Sequence, residues 1–300
     1  MPHLKYLIFN VKVLPVRTNQ TERYSEIIQN WYDRGFRIQT PGDNQHYYVL
    51  ITHNKIGDGV AHYGVIAKFV KWEALDFVNE KGELVEFEIP DDVQARINEY
   101  EFVFIPECHR LALITNGKID QNVKRNGAPL KRMREIVNRA FANLTEDDVF
   151  VDVEQTDQIF ERIFTNPVNY LEAEISFTNN DISEEGNLHL DDLMRDAHVN
   201  SFFTRMKPGG QETIDTAGDL PRSVINLAQS NGYVRARITS DDGSSEIINT
   251  REHPRKLEVP MVSKRELKNA TESSNIESEG AVFIIMAKRI YDQLMRIFRP

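Results

Sequence analysis

The sequence predicts an α+β fold: largely antiparallel sheets with flanking helices, divided into two subdomains. Three observations lead there. The first 115 residues carry one apolar, partly alternating segment after another, the pattern of strands, with a single stretch of helical spacing among them. Successive strand segments are joined by short turn signals such as Asn79-Glu80-Lys81-Gly82, too short for the crossover that parallel strands require. The chain has 300 residues, which at about 150 residues per domain suits two domains. The expected division is an N-terminal α+β subdomain at 1–120, a basic connecting helix at 121–145, and a C-terminal α+β subdomain at 146–300 that ends in a long helix.

Leu4 to Leu14 is long, apolar and partly alternating, as in a mostly buried strand. Thr21 to Arg34 places Ile27, Ile28, Trp31 and Tyr32 at helical spacing, with Thr21 as cap and Gly35 as stop. Tyr47–Thr52 and His62–Val70 are strands around a Gly57-Asp58-Gly59 turn. Phe77-Val78 and Leu84–Phe87 form one hairpin, and Glu101–Ile105 and Arg110–Ile114 a second around Pro106–His109. After the break at Asn126-Gly127-Ala128-Pro129, Leu130 to Leu144 is helical with Met133, Val137, Ala140 and Phe141 on one face. Asp148 to Glu154 alternates acidic and apolar residues, a strand. Gln158–Phe164, Asp191–His198 and Leu220–Ser230 are helices, and Tyr170–Thr178 and Phe202–Met206 strands. Tyr233–Ile238 and Glu246–Asn249 bracket Asp241-Asp242-Gly243-Ser244, a tight-turn signal between alternating runs. Asn269 to Glu279, polar and rich in Ser and Glu, is expected to be a mobile loop. Ala281 to Phe298 is a helix with an apolar stripe of Phe283, Ile284, Ala287, Ile290, Tyr291, Leu294 and Phe298.

Composition excludes several classes. The lone Cys108 rules out a disulfide framework and any multi-cysteine metal site. No stretch approaches the ~18 apolar residues of a membrane span, and MPHLKYLIFNVKVLP lacks the features of a signal peptide, so a cytoplasmic protein with no membrane partner is expected. The net charge of −10 argues against a uniformly basic nucleic-acid coat, but the charge is unevenly spread. Lys118 to Arg139 holds seven basic residues against Asp120 and Glu135. Arg251 to Lys268 holds six against three, and Lys288 to Pro300 four against one.

Catalytic motifs are missing. There is no G-x-x-x-x-G-K-[ST], G-x-G-x-x-G or G-x-S-x-G, and Pro208 removes a backbone donor from the Lys207-Pro208-Gly209-Gly210 loop. Cys108 beside His109 reads as a hairpin corner, since neighbours on an extended chain point to opposite faces. His189, Asp192 and Asp196 fall at helical spacing near His198 and could bind a metal, although acidic residues at a helix start are favoured by the dipole alone. Glu258 with Glu266-Leu267-Lys268 could be read as a nuclease-like acidic set, but E-x-K is common by chance in a charged chain. No catalytic residue, metal ligand or cofactor is therefore assigned.

The strongest functional candidates are basic. Lys124 and Arg125 precede a turn, and Lys131, Arg132, Arg134 and Arg139 decorate the helix after it, a pattern suited to phosphate-backbone contact or to an ordinary solvated face. Arg235 and Arg237, after Tyr233, share one face of a strand and form a second candidate, or a normal exposed sheet face.

The blocks Tyr6–Val13, Tyr63–Phe69, Glu101–Leu111, Gln158–Pro167 and Ala228–Val234 resemble a bacterial domain-of-unknown-function family associated with prophages and phage-defence loci. The resemblance covers most of the chain, from Tyr6 to about Val262. The order of features is also similar, more remotely, to RexA/RdgC/KwaB-type DNA-binding proteins. The shared points are the Phe102-Val103-Phe104 hairpin, the acidic–apolar strand after the basic helix, the paired strands near Tyr233–Asn249 and the C-terminal helix. The resemblance implies a dimeric, non-enzymatic DNA binder acting as sensor or regulator in phage defence. The expectation is thus sequence-independent nucleic-acid binding by a homodimer, with a second defence protein as a further partner. Two alternatives stay open. One is a protein-interaction subunit docking through Phe283, Ile290 and Leu294. The other is a metal-dependent nuclease using His189, Asp192 and His198.

Overall fold

The computed structural model describes residues 3–14, 18–39, 42, 45–56, 61–70, 79–85, 95–114, 128–176, 196–197, 199, 201–210, 213–274 and 278–298. Strand β1 (His3–Leu14) is buried from Tyr6 to its end, so it needs partners on both edges and cover on both faces. One edge pairs antiparallel with β6 (Arg110–Ile114). The other edge is shared: β12 (Lys256–Pro260) takes residues His3 to Leu7, and β7 (Asp148–Val153) takes Phe9 to Leu14. Beyond β6, the Tyr24 hydroxyl extends the ladder by accepting from the Val13 amide at 3.1 Å and donating to the Val11 carbonyl at 3.0 Å. With β2 (Ile38–Gln39), β3 (His46–Ile56), β4 (Ala61–Val70) and β5 (Ala95–Ile105) the larger sheet runs β12-β1-β6-β5-β4-β3-β2, with β7 also on β1. Every pairing is antiparallel.

Helices cover both faces of this sheet. Adjacent residues of β4 show the alternation: His62 reaches Ser25 of α1 (Gln20–Asp33), while Tyr63 packs on Phe283 of α6 (Ser278–Phe298) with ring centroids 5.2 Å apart. On the α1 face, Phe104 makes edge contacts with Tyr24 at 5.6 Å and with Phe141 of α2 (Ala128–Ala142) at 5.6 Å. The stripe of α2, Met133, Ile136, Val137, Ala140 and Phe141, is wholly buried there. On the other face Met286, Ala287, Ile290 and Leu294 of α6 enter the same core. Docking on a second subunit through Phe283, Ile290 and Leu294 is therefore corrected: Ile290 and Leu294 are buried in the protein's own core, and Phe283 is packed against it.

The segment expected to be a mobile loop at Asn269 to Glu279 is also corrected. Residues to Ser274 complete helix α5 (Lys264–Ser274), and α6 begins at Ser278. The reason is a capping box: the Ser263 amide donates to Glu266 Oε2 at 2.9 Å, and the Glu266 amide donates to Ser263 Oγ at 3.3 Å. That local signal outweighs the polar composition.

The smaller sheet joins β8 (Val168–Ser176), β9 (Ser201–Met206), β10 (Gly232–Thr239) and β11 (Ser245–Asn249) in the order β11-β10-β8-β9, again antiparallel. Helices α3 (Asp157–Thr165) and α4 (Asp219–Asn231) pack on one face, through Ile159, Phe160, Ile163, Val224, Ile225, Leu227 and Ala228. Leu171, Ala173, Ile175, Val234, Ala236 and Ile238 meet them from the strands. Between the two sheets lies a buried polar junction. The Lys12 ammonium, fully buried, donates to Asp152 at 2.9 Å, Ser176 Oγ at 2.7 Å and Asn231 Oδ1 at 3.2 Å. Asn10 donates to the same Asn231 oxygen at 3.2 Å and accepts from Arg110 at 2.9 Å, and Arg110 pairs with Glu154 at 2.8 Å. These bonds tie β1 and β7 to β8 and the end of α4. The two-sheet architecture is α+β, as expected. Among the described residues no helix is long and apolar enough to cross a membrane.

Candidate nucleic-acid interface

Because α3 and α4 take one face of the smaller sheet, the side chains alternating with its core residues stand on the other. Cross-strand register arranges them in three rows. One row is Tyr233, Glu174 and Phe203; the next is Asn249, Arg235, Glu172 and Arg205; the third is Ile247, Arg237 and Tyr170. Phe203 and Ile247 are more than half exposed, and Arg235 and Arg237 are exposed. Arg251, just beyond β11, lies over the Tyr233 ring with its guanidinium 3.7 Å from the centroid and reaches Glu174 at 3.4 Å. The face thus holds four arginines, three aromatic rings, an isoleucine and two glutamates.

The glutamates set the geometry of two of the arginines. Arg205 pairs with Glu172 at 3.2 Å, and the Tyr170 hydroxyl donates to the same carboxylate oxygen. The Tyr170 hydrogen bond, then Arg205, hold the Glu172 carboxyl below its ordinary range, and the same bond raises the Tyr170 phenol. Burial raises the Tyr233 phenol, opposed by the Arg251 charge. Arg235 and Arg237 form no ion pair among the described residues, so their guanidinium donors face solvent. Arg235 stands beside Glu172 in the register and acts on it electrostatically. Interleaved guanidinium groups and rings on an open sheet can hold phosphates with the former and flat apolar surfaces with the latter.

The sequence model of a family described as a domain of unknown function, DUF4747, matches residues 4–275. The chain belongs to the DUF4747 family. The match takes in both sheets, the junction and the open face, and stops before α6. None of the curated proteins compared with this DUF4747 chain matches it.

The sequence-predicted basic residues of this DUF4747 chain fall in two places. Lys124 and Arg125 lie outside the described residues, and Arg132 is on α2 with its side chain outside them. Lys131 is exposed, 3.9 Å from Glu135, and Arg139 is exposed in the last turn. Arg134 is half-buried; burial raises the Asp152 carboxyl, Lys12 and Ser176 lower it below its ordinary range, and the Arg134 charge adds to that lowering. The basic helix therefore divides its cations between solvent and the acidic strand β7. Arg235 and Arg237, by contrast, stand together on the open sheet with Arg205 and Arg251, which sequence reasoning missed along with Tyr170 and Phe203. The signal was present as i, i+2 alternation in Ser201–Met206 and Tyr170–Glu174, but only the strand order puts those faces beside Arg235.

The other candidate groups have structural roles. Glu258 pairs with Lys5 at 3.3 Å, and Glu266, which caps α5, pairs with Arg289. Cys108 Sγ lies 3.9 Å from the Ile105 carbonyl, and the His109 ring stacks on Tyr24 at 5.3 Å. His189, Asp192 and His198 lie outside the described residues. Among the described residues no three His, Cys, Asp or Glu side chains cluster as a metal site would require.

Proposed function

We propose that this DUF4747 domain binds nucleic acid without base specificity and catalyses no reaction, acting in the cytoplasm as a homodimer. Its role in this reading is that of a sensor or regulator in a phage-defence module, with a second defence protein as partner. The observation that supports it is the set of Arg205, Arg235, Arg237 and Arg251 on one open sheet face of a chain whose net charge is −10. A protein so acidic repels polyanions in general, and a local guanidinium array restricts attraction to one surface. Lys131 and Arg139 are exposed on α2, away from this face, and in this reading would add only a secondary phosphate contact. The resemblance to a prophage-associated family and to RexA/RdgC/KwaB-type proteins supports the defence role and the dimer.

A gel-shift series at rising salt tests this reading. Binding at low salt should weaken with salt, with a slope of about −0.9 in log K per phosphate neutralised on duplex DNA. Arg235→Glu with Arg237→Glu should weaken binding and make that slope shallower by roughly two. No binding to either duplex or single strands at low salt would end the proposal. Solution mass with and without DNA tests the dimer: a monomer in both would remove it.

A further inference from the structure

We infer that the open face of the smaller sheet takes single-stranded nucleic acid, with unstacked bases lying on its rings. This rests on the nucleic-acid reading and adds the class of strand. The arginines alone would suit any polyphosphate. The rings are what discriminate, because a base inside a duplex has both faces covered by its neighbours and offers none to a side chain. A splayed single strand offers one face per nucleotide.

The register supplies the platform. Phe203 and Tyr233 occupy one row on either side of Glu174, two strand spacings apart, or about 10 Å from the ~4.8 Å between strands. Phe203, 54% exposed, presents an apolar ring to solvent. Tyr233 is already covered by the Arg251 guanidinium at 3.7 Å, so the outer plane of that cation becomes the stacking surface there. Tyr170 provides a third ring beside Arg237, with exposed Ile247 on the other side of that arginine. Each ring has a guanidinium nearby: Arg205 lies 5.9 Å from the Tyr170 centroid, Arg251 covers Tyr233, and Arg205 is two residues from Phe203 on the same strand face. A base placed on a ring therefore leaves its phosphate within reach of a cation. Glu172 and Glu174, each ion-paired with an arginine, sit between the rings and disfavour phosphate at the sheet's centre. The backbone is thereby directed towards Arg235, Arg237 and the rim, and the exposed carboxylate of Glu174 is an acceptor for exocyclic amino groups of bases. Sequence preference is weak in such a site, since every base has a π-face.

The test is fluorescence anisotropy of the full chain with three labelled probes: a 16-nucleotide oligo-dT, a 16-nucleotide oligo-rU and a 16-base-pair DNA duplex. The variants are Phe203→Ala with Tyr170→Ala, and Arg235→Glu with Arg237→Glu, each checked for unchanged circular dichroism. The rings are on the solvent face, so their removal leaves the α3–α4 core in place. The expected result is tighter binding of one or both single strands than of duplex, and a loss of roughly tenfold or more with the ring variant. Duplex binding should be unaffected by the ring variant, while the arginine variant weakens every probe. The dT and rU arms identify which sugar the face accepts. Duplex bound as tightly as both single strands, with the ring variant unchanged on each, would overturn the inference and leave the nucleic-acid reading standing. No binding to any probe would overturn both.

Discussion

Replacing Lys12 by Met probes the junction that holds the two sheets together. The ammonium is fully buried and spends its three donors on Asp152, Ser176 and Asn231, at 2.9, 2.7 and 3.2 Å. Burial pushes the Asp152 carboxyl up, but the Lys12 charge and the Ser176 hydroxyl bring it below its ordinary range. Met fills the volume of the stem and leaves Asp152 as a buried anion without its counter-ion, which costs about 3–5 kcal/mol. That is a large part of the ~5–15 kcal/mol that separates a folded domain from its unfolded chain. Asp152→Asn alone strands the lysine instead and should cost a similar amount. The double variant removes both charges and keeps an acceptor for Ser176, so it should be more stable than Lys12→Met alone by about 2 kcal/mol or more. Urea unfolding at pH 7, followed by circular dichroism, measures all four corners of this cycle. Additive single-variant losses, or a Lys12→Met loss under about 1 kcal/mol, would refute the junction as described.

Three further outcomes are expected. His62 donates or accepts between His53 Nε2 at 2.8 Å and Ser25 Oγ at 2.9 Å, and burial, then the charges of His53 and Lys55, hold its pKa down at about 4. An unfolded chain takes up a proton near 6.5 that the folded one refuses, so stability should fall by about 2 kcal/mol between pH 7 and pH 5 through this group, and His62→Gln should flatten that slope in urea titrations. Gly64 and Gly232 run against backbone, and a Cβ at either would overlap the carbonyl of Thr52 or of Glu174; Ala at each should lower the urea midpoint strongly, whereas Gly82→Ala, with open space around it, should cost only its positive-φ strain of about 1 kcal/mol. Ser263→Ala removes the capping box of α5 and should cost about 1 kcal/mol, read as faster amide exchange confined to residues 264–274.

What could be read from the sequence was what local rules determine. The β10–β11 hairpin follows from Asp241-Asp242-Gly243 between alternating runs, with Gly243 at φ 80°, and the buried stripe of α2 follows from helical spacing. Pairings between distant segments carry no such mark. Nothing in Asp148–Val153 or Lys256–Pro260 announces that both lie on one edge of β1, which is why the larger sheet draws strands from both ends of the chain. The same holds for polarity. Asn10 and Lys12 interrupt an apolar strand, and only the distant Asp152, Ser176 and Asn231 explain how they can be buried. For the candidate site, period-two spacing singled out Arg235 and Arg237, but the neighbours that turn two arginines into a surface arrive through strand order.

The most direct test of the nucleic-acid claim is photocrosslinking of the full chain to a 16-nucleotide single strand carrying 5-bromouracil, with the adducts mapped by mass spectrometry. Adducts on the peptides containing Tyr170 and Phe203 are the predicted result. Crosslinks that appear only on α2, or that miss the smaller sheet altogether, would contradict it.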